Sequence, residues 1–318
     1  MTSLETSPER LGQPRRGRGR GFAGKKRRSG GVAPYLLVSP TILLVLGVLG
    51  IPVVELVILS FQNWQKLNPF STATSGSWTG FSNYTHELSS SQFWSITVRT
   101  IVLTAIMVSV SMLIGLLLAL LMQRISTWAR NVLTFSLILV WSIPTLVSTI
   151  VFSWMFNADF GVVNILLGML PHDWFASSTG GFAVIIGLVV WGAVPMITIM
   201  VYAGLTQVPK ELTEAARVDG ANAWQTFRSV VEPIIRPVVL IMTSLSVFWD
   251  FQVFTQIWVM LNSQPHEQFW TLGIWSYYEG IANYDYGTAS TLATITMLIL
   301  LVVTIPYLRQ LIRIGEAK

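Results

Sequence analysis

Six long apolar segments joined by polar connections predict an all-α integral membrane protein of six transmembrane helices with both termini on the same side. Three observations carry that reading. The chain is 52% hydrophobic and only 11% charged, with a mean hydropathy of +0.60, whereas a soluble domain carries about a quarter charged residues. Each apolar run is near the roughly 20 residues that cross a bilayer as a helix. Lys and Arg fall unevenly on alternate connections, which orients the spans. The 318 residues include no cysteine, which excludes disulfides, cysteine-ligated zinc and thiol catalysis together.

Residues 1–33 form a tail rich in Arg, Gly and Ser with almost no large apolar side chains, and it is expected to be disordered. Its first thirty residues hold nine Lys/Arg and two Glu, a net of +7 against +5 for the whole chain, so the remaining body is slightly acidic. The positive balance therefore belongs to a tail suited to anionic lipid and not to a nucleic-acid-binding surface. Gly19 to Lys26 nearly spells a phosphate-binding loop. It lacks the Ser/Thr after the lysine and a preceding strand, so it is rejected. The apolar run that follows is too long for a cleavable signal peptide and has no small-residue cleavage site.

The membrane body, 34–318, is expected to cross the bilayer at about 35–62, 95–122, 131–156, 182–206, 233–262 and 288–312. With the tail inside, Arg124, Arg130, Lys210, Arg217, Arg228, Arg236, Arg309, Arg313 and Lys318 join the tail on the cytoplasmic side, leaving only Lys66 and Arg99 outside. Both termini and the 208–232 loop are thereby expected in the cytoplasm. The outer connections carry Trp64, Trp78, Trp94, Trp174, Trp270, Trp275, Tyr277 and Tyr278. An interfacial aromatic belt accounts for those beside a span end, and a docking surface for Trp78.

The loop VPKELTEAARVDGANAWQTFRSVVEP (208–233) is the longest polar, helix-competent stretch. Pro209 suits a first helical position. Leu212, Ala215 and Ala216 share one face, and Lys210, Glu214 and Arg217 are spaced for a charge ladder on another. Gly220 ends the helix where a left-handed residue is wanted. Asn222 and Gln225 have capping-box spacing for a second helix, with Trp224, Phe227, Val230 and Val231 as its apolar stripe. Glu232 before Pro233 reads as a boundary. A helix lying on the membrane surface would account for these features as well as a helix docked on a partner.

Glu214-Ala215-Ala216, Gly220, Val230, Glu232 and Pro233 stand in the register E-A-A-x3-G-x9-I-x-L-P. The stretch resembles the EAA loop that marks membrane subunits of binding-protein-dependent ABC importers, and the fuller run EAARVDGANAWQTFRSVVEP is most similar to the maltose and oligosaccharide type. Val230 replaces the isoleucine and Glu232 the leucine, which leaves packing beside the fifth span open. Trp141-Ser-Ile-Pro144, Phe160-Gly161-Val-Val-Asn164, Phe248-Trp249-Asp250 and Tyr286-Gly287-Thr-Ala289 also resemble that family, and the arrangement resembles the first-type permease of a heterodimeric pair. The resemblance implies a cytoplasmic coupling helix, with Glu214, Ala215, Ala216, Asp219 and Gly220 at the contact with an ATPase. It implies a multi-pass protein of the bacterial cell membrane. Its partners would be a second homologous permease, two ABC ATPase subunits and an extracytoplasmic sugar-binding protein, alongside membrane lipid. ATP and Mg would be held by the ATPase subunits, and no cofactor or nucleic acid by this chain. The implied function is carbohydrate import, of a di- or oligosaccharide, without an enzymatic activity of its own.

A path through lipid needs polar groups facing inward from several helices. Ser246, Trp249, Gln252 and Gln256 share a face of the fifth span, and Trp191, Pro195, Thr198 and Tyr202 share one of the fourth. Thr291 and Thr294 do so in the sixth. Indole faces suit sugar rings and amides suit their hydroxyls; helix–helix packing through small polar groups is the other reading. Asp250 is the carboxylate inside a span, where it costs about 2.5–3.5 kcal/mol. A structural hydrogen-bond or ion-pair role is preferred to that of a sugar-hydroxyl acceptor. His86, His172 and His266 form no ligand spacing, so no metal is expected. The alternatives are an importer of amino acids, peptides or phosphate, a stand-alone secondary transporter, for which helices broken near the midplane would speak, and a membrane-embedded enzyme.

Overall fold

The computed structural model describes residues 33–65 and 76–316. The tail expected over 1–33, apart from its last residue, lies outside the described residues, as do Lys66 and Lys318 of the charge count. The chain divides into two compact units, Met1–Ile51 and Pro52–Lys318. In the first, the described residues form helix α1 (Ala33–Val45) and a π-type turn, Leu46–Gly50.

The second unit begins within α2 (Ile51–Ser60) and continues through a short antiparallel hairpin, β1 (Gln62–Asn63) and β2 (Ser77–Trp78), with Gln62 opposite Trp78. Helix α3 (Ser82–Ser89) leads into α4 (Ser91–Arg124). Ser126 then caps α5 (Thr127–Ser142), its Oγ accepting from Ala129 N at 3.4 Å. After α6 (Thr145–Met155) and the short α7 (Val162–Leu167), Ser177 caps α8 (Ser178–Leu205), its Oγ accepting from Gly180 N at 3.2 Å. The remaining helices are α9 (Lys210–Val218), α10 (Ala223–Thr226), α11 (Glu232–Phe251), α12 (Thr255–Met260), α13 (Leu272–Tyr277) and α14 (Tyr286–Glu316). Among the described residues, Leu36–Ser60, Ser91–Arg124, Ser178–Leu205, Ala223–Phe251 and Tyr286–Tyr307 are long and apolar enough to cross a membrane, and the α5–α6 pair makes a sixth crossing if it is one span.

Three expectations about these spans require correction. The third, expected as one helix over 131–156, is bent by 96° between α5 and α6. Pro144 lacks the N–H that would continue α5, and Ile143 before it takes extended angles, φ −74° and ψ 125°. The fifth, expected over 233–262, stops at Phe251 and restarts at Thr255. No proline or glycine causes this break; it buries Val253 and Ile257 in the core. Conversely, Glu232–Pro233 is no boundary. Helix α10 runs into α11 through a π-type turn, Phe227–Val231, in which Glu232 N bonds Phe227 O. That wider turn gives the Pro233 ring room against the preceding carbonyls, so Glu232 stays helical at φ −54° and ψ −48°.

Helices in lipid associate through close packing of small residues, because the lipid tails are as apolar as the side chains. The α4–α8 pair follows this rule: a Cβ on Gly115 would lie 2.5 Å from Ile197 Cγ2. Beside it Ala119 and Val201 are fully buried. These two residues, with Ile197, Leu205, Ile235 and Met242, form one core cluster, against which Val208, Phe227 and Val231 pack. A second cluster joins Leu103, Met107, Ile185 and Leu188 to Val253, Ile257 and Met260. The 263–287 connection is less of a surface excursion than expected. Within it α13 buries Leu272, Ile274 and Trp275, and the Trp275 indole donates to Glu279 Oε1 at 3.0 Å rather than joining a belt. Trp78 and Trp94 remain exposed.

Candidate functional site

Two places answer to the residues singled out in the sequence: an elbow over 209–231 and a cavity where the broken spans meet. The elbow is built by local rules. Pro209 caps α9 instead of occupying its first turn, one position earlier than expected. Its C-terminus closes with Asp219 N on Ala215 O at 3.0 Å, Gly220 N on Arg217 O at 3.0 Å and Ala221 N on Ala216 O at 2.9 Å. That pattern is a Schellman motif, and it needs the left-handed φ of +84° that Gly220 supplies. Asn222 and Gln225 then form a full capping box: Asn222 N donates to Gln225 Oε1 at 2.8 Å and Gln225 N to Asn222 Oδ1 at 2.9 Å.

The surface of the elbow departs from the expected pattern. The Lys210–Glu214–Arg217 ladder does not close. In this region the ion pair among the described residues is Arg228–Glu232 at 3.6 Å, four residues apart on a largely exposed face. This gives Glu232 a partner in place of the packing role that the usual leucine would have. The apolar stripe of the second helix is divided: Phe227 and Val231 pack inward, while Trp224 stays 70% exposed and stacks on Phe227 at 5.9 Å. Val218, 87% exposed, and Leu212, 49% exposed, leave further apolar surface beside it. Glu214, Ala215, Asp219 and Gly220 are exposed as well, with Ala216 half-buried.

The cavity has a volume of about 470 Å³, within the range of about 300–1,000 Å³ usual for small-molecule sites. It lies at the α5–α6 bend, the α11–α12 break and the middle of α8, and it brings Trp191, Trp249, Asp250, Gln252 and Gln256 together. Gln252 and Gln256 reach it from opposite sides of the break in the fifth span and not from one continuous helical face. The Gln252 amide donates to Phe248 O at 3.4 Å, and Trp249 is half exposed. Asp250 is only 6% exposed, and its Oδ2 is buried without a hydrogen-bond partner. The structural partner expected for that carboxyl is therefore not found among the described residues.

Several predicted lining residues stand elsewhere. Tyr202 packs in the cluster at the foot of α8, under the Arg130 guanidinium. Thr198 turns back onto Val194 O at 2.7 Å. Thr291 bonds Ser60 O at 3.1 Å and Gly287 O at 2.9 Å. Thr294 is buried away from the cavity. Sequence reasoning missed Trp141, Thr145 and Ser148, which line the cavity from the bend; Pro144 in mid-span was the available signal. Among the described residues no three His, Cys, Asp or Glu side chains gather to hold a metal ion.

Known proteins are similar to this chain over most of its length. The family model described as "Binding-protein-dependent transport system inner membrane component" matches residues 111–313. The diacetylchitobiose uptake system permease protein DasB of Streptomyces coelicolor is 38% identical over 91% of this chain and 89% of its own length. The trehalose/maltose transport system permease protein MalF of Thermococcus litoralis is 28% identical over 86% and 92%. Among solved structures, a bacterial ABC transporter involved in import of the acidic polysaccharide alginate shares the fold with a TM-score of 0.73 and 21% identity, covering 89% of this chain and 96% of its own. A multi-pass membrane chain that matches this model from α4 to α14 belongs to the family of binding-protein-dependent transport system inner membrane components.

Proposed function

We propose that this chain is the permease subunit of an ABC importer that moves a di- or oligosaccharide across a bacterial cell membrane. The observation that carries the solute class is the cavity. Three tryptophans (Trp141, Trp191 and Trp249) line it with Gln252, Gln256 and Asp250, whose carboxyl has a buried oxygen without a protein donor. Indole faces bind the C–H-rich faces of sugar rings, and a buried acceptor without a partner is costly until a ligand hydroxyl or amide N–H reaches it. Asp250 accordingly acts as a solute acceptor, the reverse of the role preferred from sequence alone. The names of relatives support the class: diacetylchitobiose, trehalose/maltose and sulfoquinovosyl glycerol.

The drive comes from separate ATPase subunits, which hold ATP and Mg, and this chain has no nucleotide site of its own. Glu214, Ala215, Ala216, Asp219 and Gly220 meet an ATPase subunit, and the exposed Val218 and Trp224 supply apolar contact beside them. A second permease subunit and an extracytoplasmic sugar-binding protein complete the assembly. A solved complex similar in fold contains a periplasmic protein bound to an alginate pentasaccharide, which supports the receptor. The elbow and both termini lie in the cytoplasm in this reading, which the distribution of Lys and Arg supports.

The test is uptake by the co-purified complex in proteoliposomes, with N,N′-diacetylchitobiose, maltose and a neutral dipeptide as probes. Expected is ATP-dependent uptake of a disaccharide that weakens on Trp249→Ala. ATP-dependent uptake of the dipeptide with none of either sugar would contradict the solute class.

A further inference from the structure

Arg130 and Tyr202 join the foot of the bent span to the foot of the elbow, and neither the cavity nor the elbow surface uses them. Helix α4 ends at Arg124, where its last carbonyls have no helical partners. The Arg130 guanidinium reaches back to two carbonyls there: Nε donates to Met122 O at 2.9 Å and Nη2 to Ile125 O at 3.1 Å. The same guanidinium lies over the Tyr202 ring, with Cζ 5.7 Å from the ring centre, within reach of a cation–π contact. Its backbone is fixed in the first turn of α5, where N donates to Ser126 O at 2.9 Å and O accepts from Thr134 Oγ1 at 2.9 Å. A second tie runs beside it, from Gln123 Nε2 to Leu205 O at 3.3 Å.

The placement of these contacts gives them consequence. Below Tyr202, α8 ends at Leu205 and the chain enters α9 through Pro209. From Arg130, α5 runs unbroken to Ser142 and the 96° bend, where Trp141, Ile143 and Thr145 line the cavity. One planar cation thus holds the end of α4, the last turn of α8 from which the chain leads into the elbow, and the start of the helix that shapes the cavity wall. Packed elements linked in this way move as units and do not deform continuously.

We propose that the Arg130–Tyr202 pair is a transmission clamp, two positioning residues that pass displacement of the elbow along α5 to the cavity. The proposal rests on the transport reading above. The guanidinium is required for its shape as well as its charge. A lysine ammonium is a compact point charge that cannot both fork onto two carbonyls and lie flat on a ring.

The test compares sugar moved per ATP hydrolysed by the whole complex in proteoliposomes, with N,N′-diacetylchitobiose and maltose as probes. The variants are Arg130→Ala, Arg130→Lys, Tyr202→Leu, Tyr202→Phe and the Arg130→Ala/Tyr202→Leu pair. Expected is a loss of about fivefold or more in the ratio for Arg130→Ala and Tyr202→Leu, the lower end of ordinary coupling between sites. The pair should lose no more than Arg130→Ala alone, because that variant already removes the contact that Tyr202→Leu removes. Tyr202→Phe, which keeps the ring face, should match the unaltered protein, and Arg130→Lys should fall between. The amount of assembled complex should stay constant across the set. Losses that multiply in the pair, a Tyr202→Phe as impaired as Tyr202→Leu, or single variants with the unaltered ratio would each overturn the clamp. Absence of ATP-driven sugar uptake by the unaltered complex would instead overturn the transport reading, and the clamp's role with it.

Discussion

The turns of the elbow are held by bonds between residues no more than five apart, whereas the cavity exists only where distant parts of the chain meet. In the first, Ala216, Arg217 and Gly220 close one helix and Asn222 and Gln225 open the next. In the second, residues 140–148, 188–197 and 242–256 must all be in place before there is any site. A locally held element can move as a body without losing its shape. A cavity assembled from broken spans changes shape whenever those spans shift. The pairing of the two fits the transport role proposed above, with the elbow as a stiff lever and the cavity as a deformable chamber.

The largest effect should come from breaking the lever. Gly220→Pro forbids the φ of +84° and removes the N–H that bonds Arg217 O, costing about 3 kcal/mol or more locally. ATP-driven uptake should fall below detection while the amount of membrane-inserted protein stays unchanged; both are read on the same proteoliposomes. Breaking the chamber should cost less. Asp250→Asn keeps the side-chain volume but removes the carboxylate, and the concentration for half-maximal uptake should rise about tenfold, the scale of one hydrogen bond to a charged group. A loss of assembled protein with unchanged half-saturation would return Asp250 to a structural role. The smallest effect sharpens the comparison: Asn222→Ala removes one side of the capping box, worth about 1 kcal/mol. Amide exchange at Gln225 should then quicken about fivefold, with half-saturation for solute unmoved.

The same contrast governs what could be read from the sequence. Gly220, Asn222 and Gln225 obey rules that span a few residues, so the Schellman motif and the capping box were legible. The extents of α4, α8 and α14 were legible because unbroken apolar length is enough to specify a span. The break after Phe251 was not, because no proline or glycine marks it and the burial of Val253 and Ile257 against other helices decides it. Pro144 did mark the other bend, but its 96° angle is a property of the packed bundle. Tyr202 shares a helical face with Trp191, and periodicity alone could not separate them. Trp191 reaches the cavity, and Tyr202 stands below it under Arg130. In the elbow the departures are of two kinds. Tertiary packing decides Glu232–Pro233 and the division of the apolar stripe. Pro209 stands one position early, and the exposed Lys210–Glu214–Arg217 ladder stays open because solvated side chains gain little from pairing.

The absence of cysteine from the chain makes the account's central claim, that the elbow is worked by a separate cytoplasmic motor, open to one direct measurement. Val218→Cys places a single thiol at the most exposed apolar position of the elbow. In the assembled complex, a short bifunctional reagent should link that thiol to a co-purified ATPase subunit, and a membrane-impermeant thiol reagent should fail to label it in intact cells. Labelling from outside intact cells, or no link to any ATPase subunit, would contradict the account.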